Sequence, residues 1–220
     1  MTTVLVVDDQ PLVRHAVADI LSAHEDMDVV GLAGDGQEAV DVAAVLRPDV
    51  IVMDIRMPGL GGIAATEKIC ATPELHDTKV LILTTFEEDE NLVAALRAGA
   101  SGFVGKGAEP QEIVRAVRAI HAGDALLSPV ATRALIDRFV SAPAPRRRVG
   151  PELDHLTERE REVLLMVAQG RSNQDIADEL VISPHTAKTH VNRIMVKVQA
   201  HDRAQLVILA YESGLLAPGT

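Results

Sequence analysis

Five short apolar runs recur in the first 123 residues, near 3–7, 28–33, 49–53, 79–83 and 102–104, and each is followed by a longer amphipathic stretch. Runs this short and this rich in Val, Ile and Leu read as strands buried on both faces, and helix-length segments between them let successive strands lie parallel. The alternation predicts an α/β domain: a five-stranded parallel doubly wound (βα)5 sheet covered by helices. Helix-start signals fall in the gaps. Pro11 follows Asp9, Asp35-Gly36-Gln37-Glu38 reads as a capping box, and Pro110 opens a last helix running to about Gly123.

The third run carries the most chemistry. Val50-Ile51-Val52-Met53 ends on Asp54 and the chain then breaks at Pro58-Gly59, so the carboxylate sits where the backbone leaves the sheet. Open parallel sheets bind ligands outside the carboxyl ends of their strands. Asp8 and Asp9 end the first run, Thr84 and Thr85 end the fourth, and Lys106 lies just beyond the fifth, so all share one rim. Three converging carboxylates repel, and a hard divalent cation such as Mg2+ relieves that repulsion. With the cation and Lys106 offsetting charge, Asp54 can act as a nucleophile toward a phosphoryl group. The product adds about −1.5 to −2 charges, which a hydroxyl at Thr84 and the ammonium of Lys106 can meet. Taken singly, each residue has an ordinary explanation: a helix cap, a strand terminus, a solvated loop charge. Their common register at four strand ends points to a site.

A net charge of −11 spread evenly would argue against nucleic acid, but residues 1–124 carry −12 and residues 125–220 carry +1. That asymmetry predicts two parts with different partners. The parts read as 1–123, a partly helical linker over 124–152, and 153–220. In the linker, Ser128-Pro129 can start a short helix to about Phe139, and residues 141–151 combine prolines with Arg146, Arg147 and Arg148. Beyond it, Thr157 to Glu160 forms a capping box, Gly170 stops that helix, Ser172 caps a second, Ser183-Pro184 opens a third, and Asp202 caps a fourth. Four short helices with a tight turn at 180–183 make a helix-turn-helix arrangement.

In the third of these, residues 184–199, Ala187, Val191, Ile194, Met195 and Val198 form one apolar stripe. The opposite face carries His185, Thr189, Asn192 and Arg193, with Lys188 and Lys197 on its flanks, and no Asp or Glu occurs between 180 and 201. An acid-free face of amides, hydroxyls and cations suits a DNA major groove.

Other classes are disfavoured. A single cysteine, Cys70, cannot form an internal disulfide, and no CxxC or His-rich metal pattern occurs, so a reducing cytoplasm is expected. The N-terminus lacks the basic region of a signal peptide, and no run approaches the ~20 apolar residues of a membrane span. Nothing resembles an ATP-binding loop, so a separate kinase must supply the phosphoryl group. A phosphatase with an Asp nucleophile would show a second acid two residues on, and Asp54-Ile55-Arg56 lacks it.

Val7-Asp8-Asp9-Gln10-Pro11, Met53 to Gly59, Leu83 to Phe86 and Gly102 to Lys106 together resemble the receiver domain of two-component response regulators over about residues 2–123. The resemblance implies that Asp54 is the phosphoacceptor and that Asp8, Asp9, Asp54 and the backbone carbonyl of Arg56 hold Mg2+. It also implies that Thr84 is the switch hydroxyl, Lys106 the phosphoryl-binding lysine and Phe103 the rotating aromatic. Gly61 departs from the pattern, where an acid is common, as do Gly105 and Gly107 beside Lys106. Leu156 to Leu164, Ser172 to Leu180 and Ile182 to Val191 are similar to the LuxR-type DNA-binding domain, and the two together resemble the NarL/FixJ response regulators. By position, Lys188, Thr189 and Asn192 would read bases, and Thr186, His190 and Arg193 would hold phosphates. Val181 and Gln199 stand where small or glycine-like turn residues are frequent. The implied function is a cytoplasmic regulator, not an enzyme, phosphorylated by a sensor histidine kinase and binding double-stranded promoter DNA as a homodimer. Leu206, Ile208, Leu209 and Leu215 are candidate dimer contacts, though core is their ordinary role. The alternative is a phosphorylation-independent DNA-binding protein with a structural receiver.

Overall fold

The computed structural model describes residues 1–84, 94–122, 153, 155–200 and 203–216 of the chain. Two compact units, Met1–Ala134 and Leu135–Thr220, are taken in turn. The expected helix at 128–139, Thr85 and the Asp202 cap lie outside the described residues.

The first unit holds strands β1 (Thr2–Val7), β2 (Met27–Ala33), β3 (Val50–Asp54), β4 (Lys79–Thr84) and β5 (Gly102–Gly105) in a parallel sheet of order β2-β1-β3-β4-β5. Its helices are α1 (Pro11–Ser22), α2 (Gly36–Leu46), α3 (Gly62–Cys70) and α4 (Pro110–His121), with helical backbone also at residues 94–97. β3 is buried at every residue, as a strand covered on both faces must be. Val4, Val6, Val52 and Leu81 pack with Val17 and Leu21 of α1 and Val117 and Ile120 of α4 in one apolar cluster. The order of strands reverses direction between β1 and β3. Their carboxyl ends therefore border the crevice where such sheets place ligands, and Asp8 and Asp54 stand on its two sides.

Two glycines set the shape of that crevice. A Cβ on Gly62, the first residue of α3, would lie 1.9 Å from the carbonyl oxygen of Asp54, and a Cβ on Gly36 would lie 2.2 Å from that of Leu60. The amides of both residues use the space: Gly62 N donates to Ile55 O at 2.9 Å and Gly36 N to Leu60 O at 3.1 Å. Gly61 is the N-cap of α3 and supplies no side-chain cap. The capping box expected at 35–38 forms differently. Asp35 accepts from the amides of Gln37 and Glu38, but Glu38 Oε2 reaches past it to Gly34 N at 2.6 Å. Its longer side chain satisfies the amide one residue earlier.

The second unit contains α5 (Glu158–Ala168), α6 (Asn173–Leu180), α7 (Pro184–Val198) and α8 (Arg203–Glu212). Thr157 with Glu160 and Ser172 with Asp175 form complete capping boxes, and Ser183 Oγ accepts from Thr186 N. Val163, Leu164, Val167, Ile176, Ala177, Ala187, Val191, Ile194 and Leu206 make its core, and Ile208 is also buried. Val181 and Gln199, after α6 and α7, have φ of 54° and 56°. Both thus adopt the left-handed conformation that a glycine would take without strain. Among the described residues no helix is long and apolar enough to cross a membrane.

Candidate functional site

Asp54 is the last residue of β3 and 4% exposed, and Asp8, just past β1, is fully buried. Lys106 Nζ lies 2.8 Å from Asp8 Oδ2 and 3.0 Å from Asp54 Oδ2, so one ammonium joins two carboxylates from adjacent strand ends. Asp9 completes the acidic group: one oxygen each from Asp8, Asp9 and Asp54 fall within 4.8 Å of one another. Asp9 Oδ1 is buried with no hydrogen-bond donor among the described residues. An all-oxygen cluster holding an orphaned carboxylate oxygen fits a hard divalent cation.

Burial raises the pKa of Asp54; hydrogen bonding and charge attraction from Lys106 oppose this, while the charge of Asp8 adds to it. Burial works against the Lys106 ammonium too, but its hydrogen bonds to Asp8 and Asp54 outweigh that and raise its pKa. A cation among the acids would act as Lys106 does, favouring the ionised nucleophile.

The remaining expected residues take distinct places. Thr84 ends β4 half-buried, paired in register with Gly105, and its carbonyl accepts from Lys106 N at 2.7 Å. The lysine is thereby tied by its backbone to Thr84 and by its side chain to the acids. The backbone N–H of Arg56 donates to Asp54. Phe103 is 1% exposed on β5, opposite Ile82. One participant escaped the sequence reading: Arg14, whose Nη1 donates to the Asp8 carbonyl at 2.5 Å. Its placement one turn into α1 was the available signal.

In the second unit, α7 buries Ala187, Val191 and Ile194 and exposes His185, Thr186, Lys188, Asn192 and Arg193. Thr189 and His190 are half-buried, and Thr189 Oγ1 donates to His185 O at 2.9 Å. Lys197 corrects the sequence reading. Expected on the flank of the polar face, it instead turns to α5, where Nζ meets Glu160 Oε2 at 2.7 Å.

Glu160 thus serves two helices, accepting from Thr157 N and Oγ1 as well. Burial opposes its ionisation, but Lys197 and the Thr157 donors overcome this and lower its pKa from 4.5 to about 2. A depressed carboxyl stabilises the fold above its unfolded pKa and loses that contribution as pH falls through the folded value. The second unit should therefore lose stability between pH 4.5 and about 2. The loss is on the order of 3 kcal/mol at most. Thermal melts across that range check this: Glu160→Gln should start less stable and show a flatter acid limb, and parallel curves would contradict the assignment.

Similarity to known proteins spans nearly the whole chain. Residues 4–118 match the family described as response regulator receiver domain, and residues 154–210 match bacterial regulatory proteins, luxR family. The chain is 40% identical over 214 residues to the uncharacterized transcriptional regulatory protein YxjL of Bacillus subtilis (strain 168), covering 97% of this chain and 96% of that one. It is 37% identical over 218 residues to the transcriptional regulatory protein LiaR of the same organism, covering 98% and 100%. Among solved structures it is similar to the response regulator ChrA of a heme-sensing two-component system, with 34% identity, 98% of each chain covered and a TM-score of 0.52.

Proposed function

Because the chain belongs to the response regulators that join a receiver domain to a LuxR-type DNA-binding domain, and is thus a DNA-binding transcriptional regulator of a two-component system, we propose that Asp54 is the phosphoacceptor that controls it. The observation that supports this reading is the convergence of Asp8, Asp9, Asp54 and Lys106 at the mouth of the sheet.

In this reading a sensor histidine kinase presents a phosphohistidine. An Asp54 carboxylate oxygen attacks phosphorus, the new O–P bond forms as the N–P bond breaks, and the released imidazole takes up a proton. Lys106 redirects an N–H donor to the incoming phosphoryl oxygens, and the Thr84 hydroxyl donates to another from the end of β4. Asp8, Asp9, Asp54 and the carbonyl of Arg56 would hold Mg2+, which would supply charge neutralisation to those oxygens. The shift of Thr84 leaves room into which Phe103 turns, which couples the site to the β4–β5 surface. The regulator works in the cytoplasm, and its phosphorylated form binds promoter DNA as a homodimer, because paired half-sites match a two-fold protein. The discriminating experiment is DNA affinity measured with and without an acyl-phosphate donor and Mg2+. A rise supports the reading, and equal affinity favours a structural receiver.

On the DNA, Lys188, Thr189 and Asn192 read base edges while Thr186, His190 and Arg193 hold phosphates. Lys188→Ala should weaken specific binding by about 1–3 kcal/mol, measured by titration of a selected duplex. Affinity should also fall steeply with salt, as counterion release requires. An unchanged affinity removes Lys188 from the interface, and a flat salt response counts against α7 as the reading helix.

A further inference from the structure

The acid-free face of α7 carries one side chain that neither the fold nor the polar reading explains. Val196 is 79% exposed, although Ala187, Val191 and Ile194 already provide the helix's buried stripe. At about 100° per residue, Val196 falls within some 40° of His185, Thr189 and Asn192 around the helix axis. It therefore lies on the midline of the face assigned to DNA. Local preference gives no reason for it, since valine is a poorer helix former than the lysine or arginine that an exposed site tolerates. An apolar group at the centre of a groove-facing surface has one apolar counterpart on base edges, the C5 methyl of thymine.

We propose that Val196 is a base-reading residue that packs on a thymine methyl in the major groove. This rests on α7 entering that groove. Val196 follows Asn192 by one turn, about 6 Å along the helix axis, so the thymine lies beyond the base that Asn192 reads. The preferred operator accordingly carries a thymine at a position set by an aliphatic side chain, in addition to those set by Lys188, Thr189 and Asn192.

The test is a chemical cycle on a duplex selected from random sequence by the full-length protein. Each thymine is replaced singly by deoxyuridine, which deletes only the methyl, and binding is measured for wild type, Val196→Ala and Lys188→Ala. One deoxyuridine position should weaken wild-type binding about three- to fivefold, the worth of one buried methyl, and leave Val196→Ala binding unaffected. If every deoxyuridine acts equally on wild type and Val196→Ala while Lys188→Ala still binds weakly, the inference fails and the groove assignment stands. If Lys188→Ala binds as wild type does, the groove assignment itself fails. Thermal melting confirms that Val196→Ala, altered at an exposed position, remains folded.

Discussion

Incubated with an acyl-phosphate donor and Mg2+, Asp54→Ala should take up no phosphoryl group, while the wild type gains one that hydroxylamine removes. The effect is large because, in the proposed reading, the Asp54 carboxylate oxygen forms the new bond. Asp8 lies across the crevice, just past β1, with Oδ2 on Lys106 and Oδ1 on the amide of Gln10 at 2.9 Å. The same variant should not lose thermal stability. Burial and the charge of Asp8 raise the pKa of Asp54, so its ionised form is disfavoured by the fold at neutral pH. Removing it leaves Lys106 paired with Asp8, and the melting temperature should stay level or rise. Lys106→Ala is the complement: it leaves two buried carboxylates without their shared cation and should lower stability. Phosphoryl uptake by Asp54→Ala at the wild-type level would move the acceptor elsewhere.

The second large effect concerns Gly62. A Cβ there meets the Asp54 carbonyl at 1.9 Å and its carbon at 2.9 Å, and both are backbone atoms that cannot rotate away. Gly62→Ala must push α3 off the end of β3, at about 3 kcal/mol or more of stability, and it should slow phosphorylation by displacing the acceptor. Gly59 provides the contrast. It has φ of 73° with nothing within 4 Å of its would-be Cβ, so Gly59→Ala costs only the left-handed penalty of about 1–2 kcal/mol. Urea unfolding followed by far-ultraviolet circular dichroism separates the two. Equal losses would show that the close approach does not limit the fold.

The sheet and the rim were legible because both depend on local patterns. Apolar runs mark strands covered on both faces, and a polar residue at a strand's end is placed on the rim by the strand itself. Strand ends alone put Asp54 and Lys106 at one edge of the sheet. What escaped were relations between distant segments. The angle of Lys197 around α7 puts it on the flank of the polar face, yet its long side chain crosses to Glu160, 37 residues earlier in sequence. Gly36 reads only as part of a helix start and Gly62 carries no local signal, whereas the necessity of both comes from backbone segments packed against them. Arg14 likewise acts on a carbonyl, which no side-chain motif announces.

The bond between Lys197 and Glu160 separates what the domain reads from how its reader is held. α7 is fastened to the capped start of α5 by Lys197 from its flank, and the outward Asn192 and Arg193 lie outside that ion pair. If α7 is the reading helix, as proposed, exchanging outward side chains alone should change operator preference. Such exchanges would leave the ion pair that orients the helix in place.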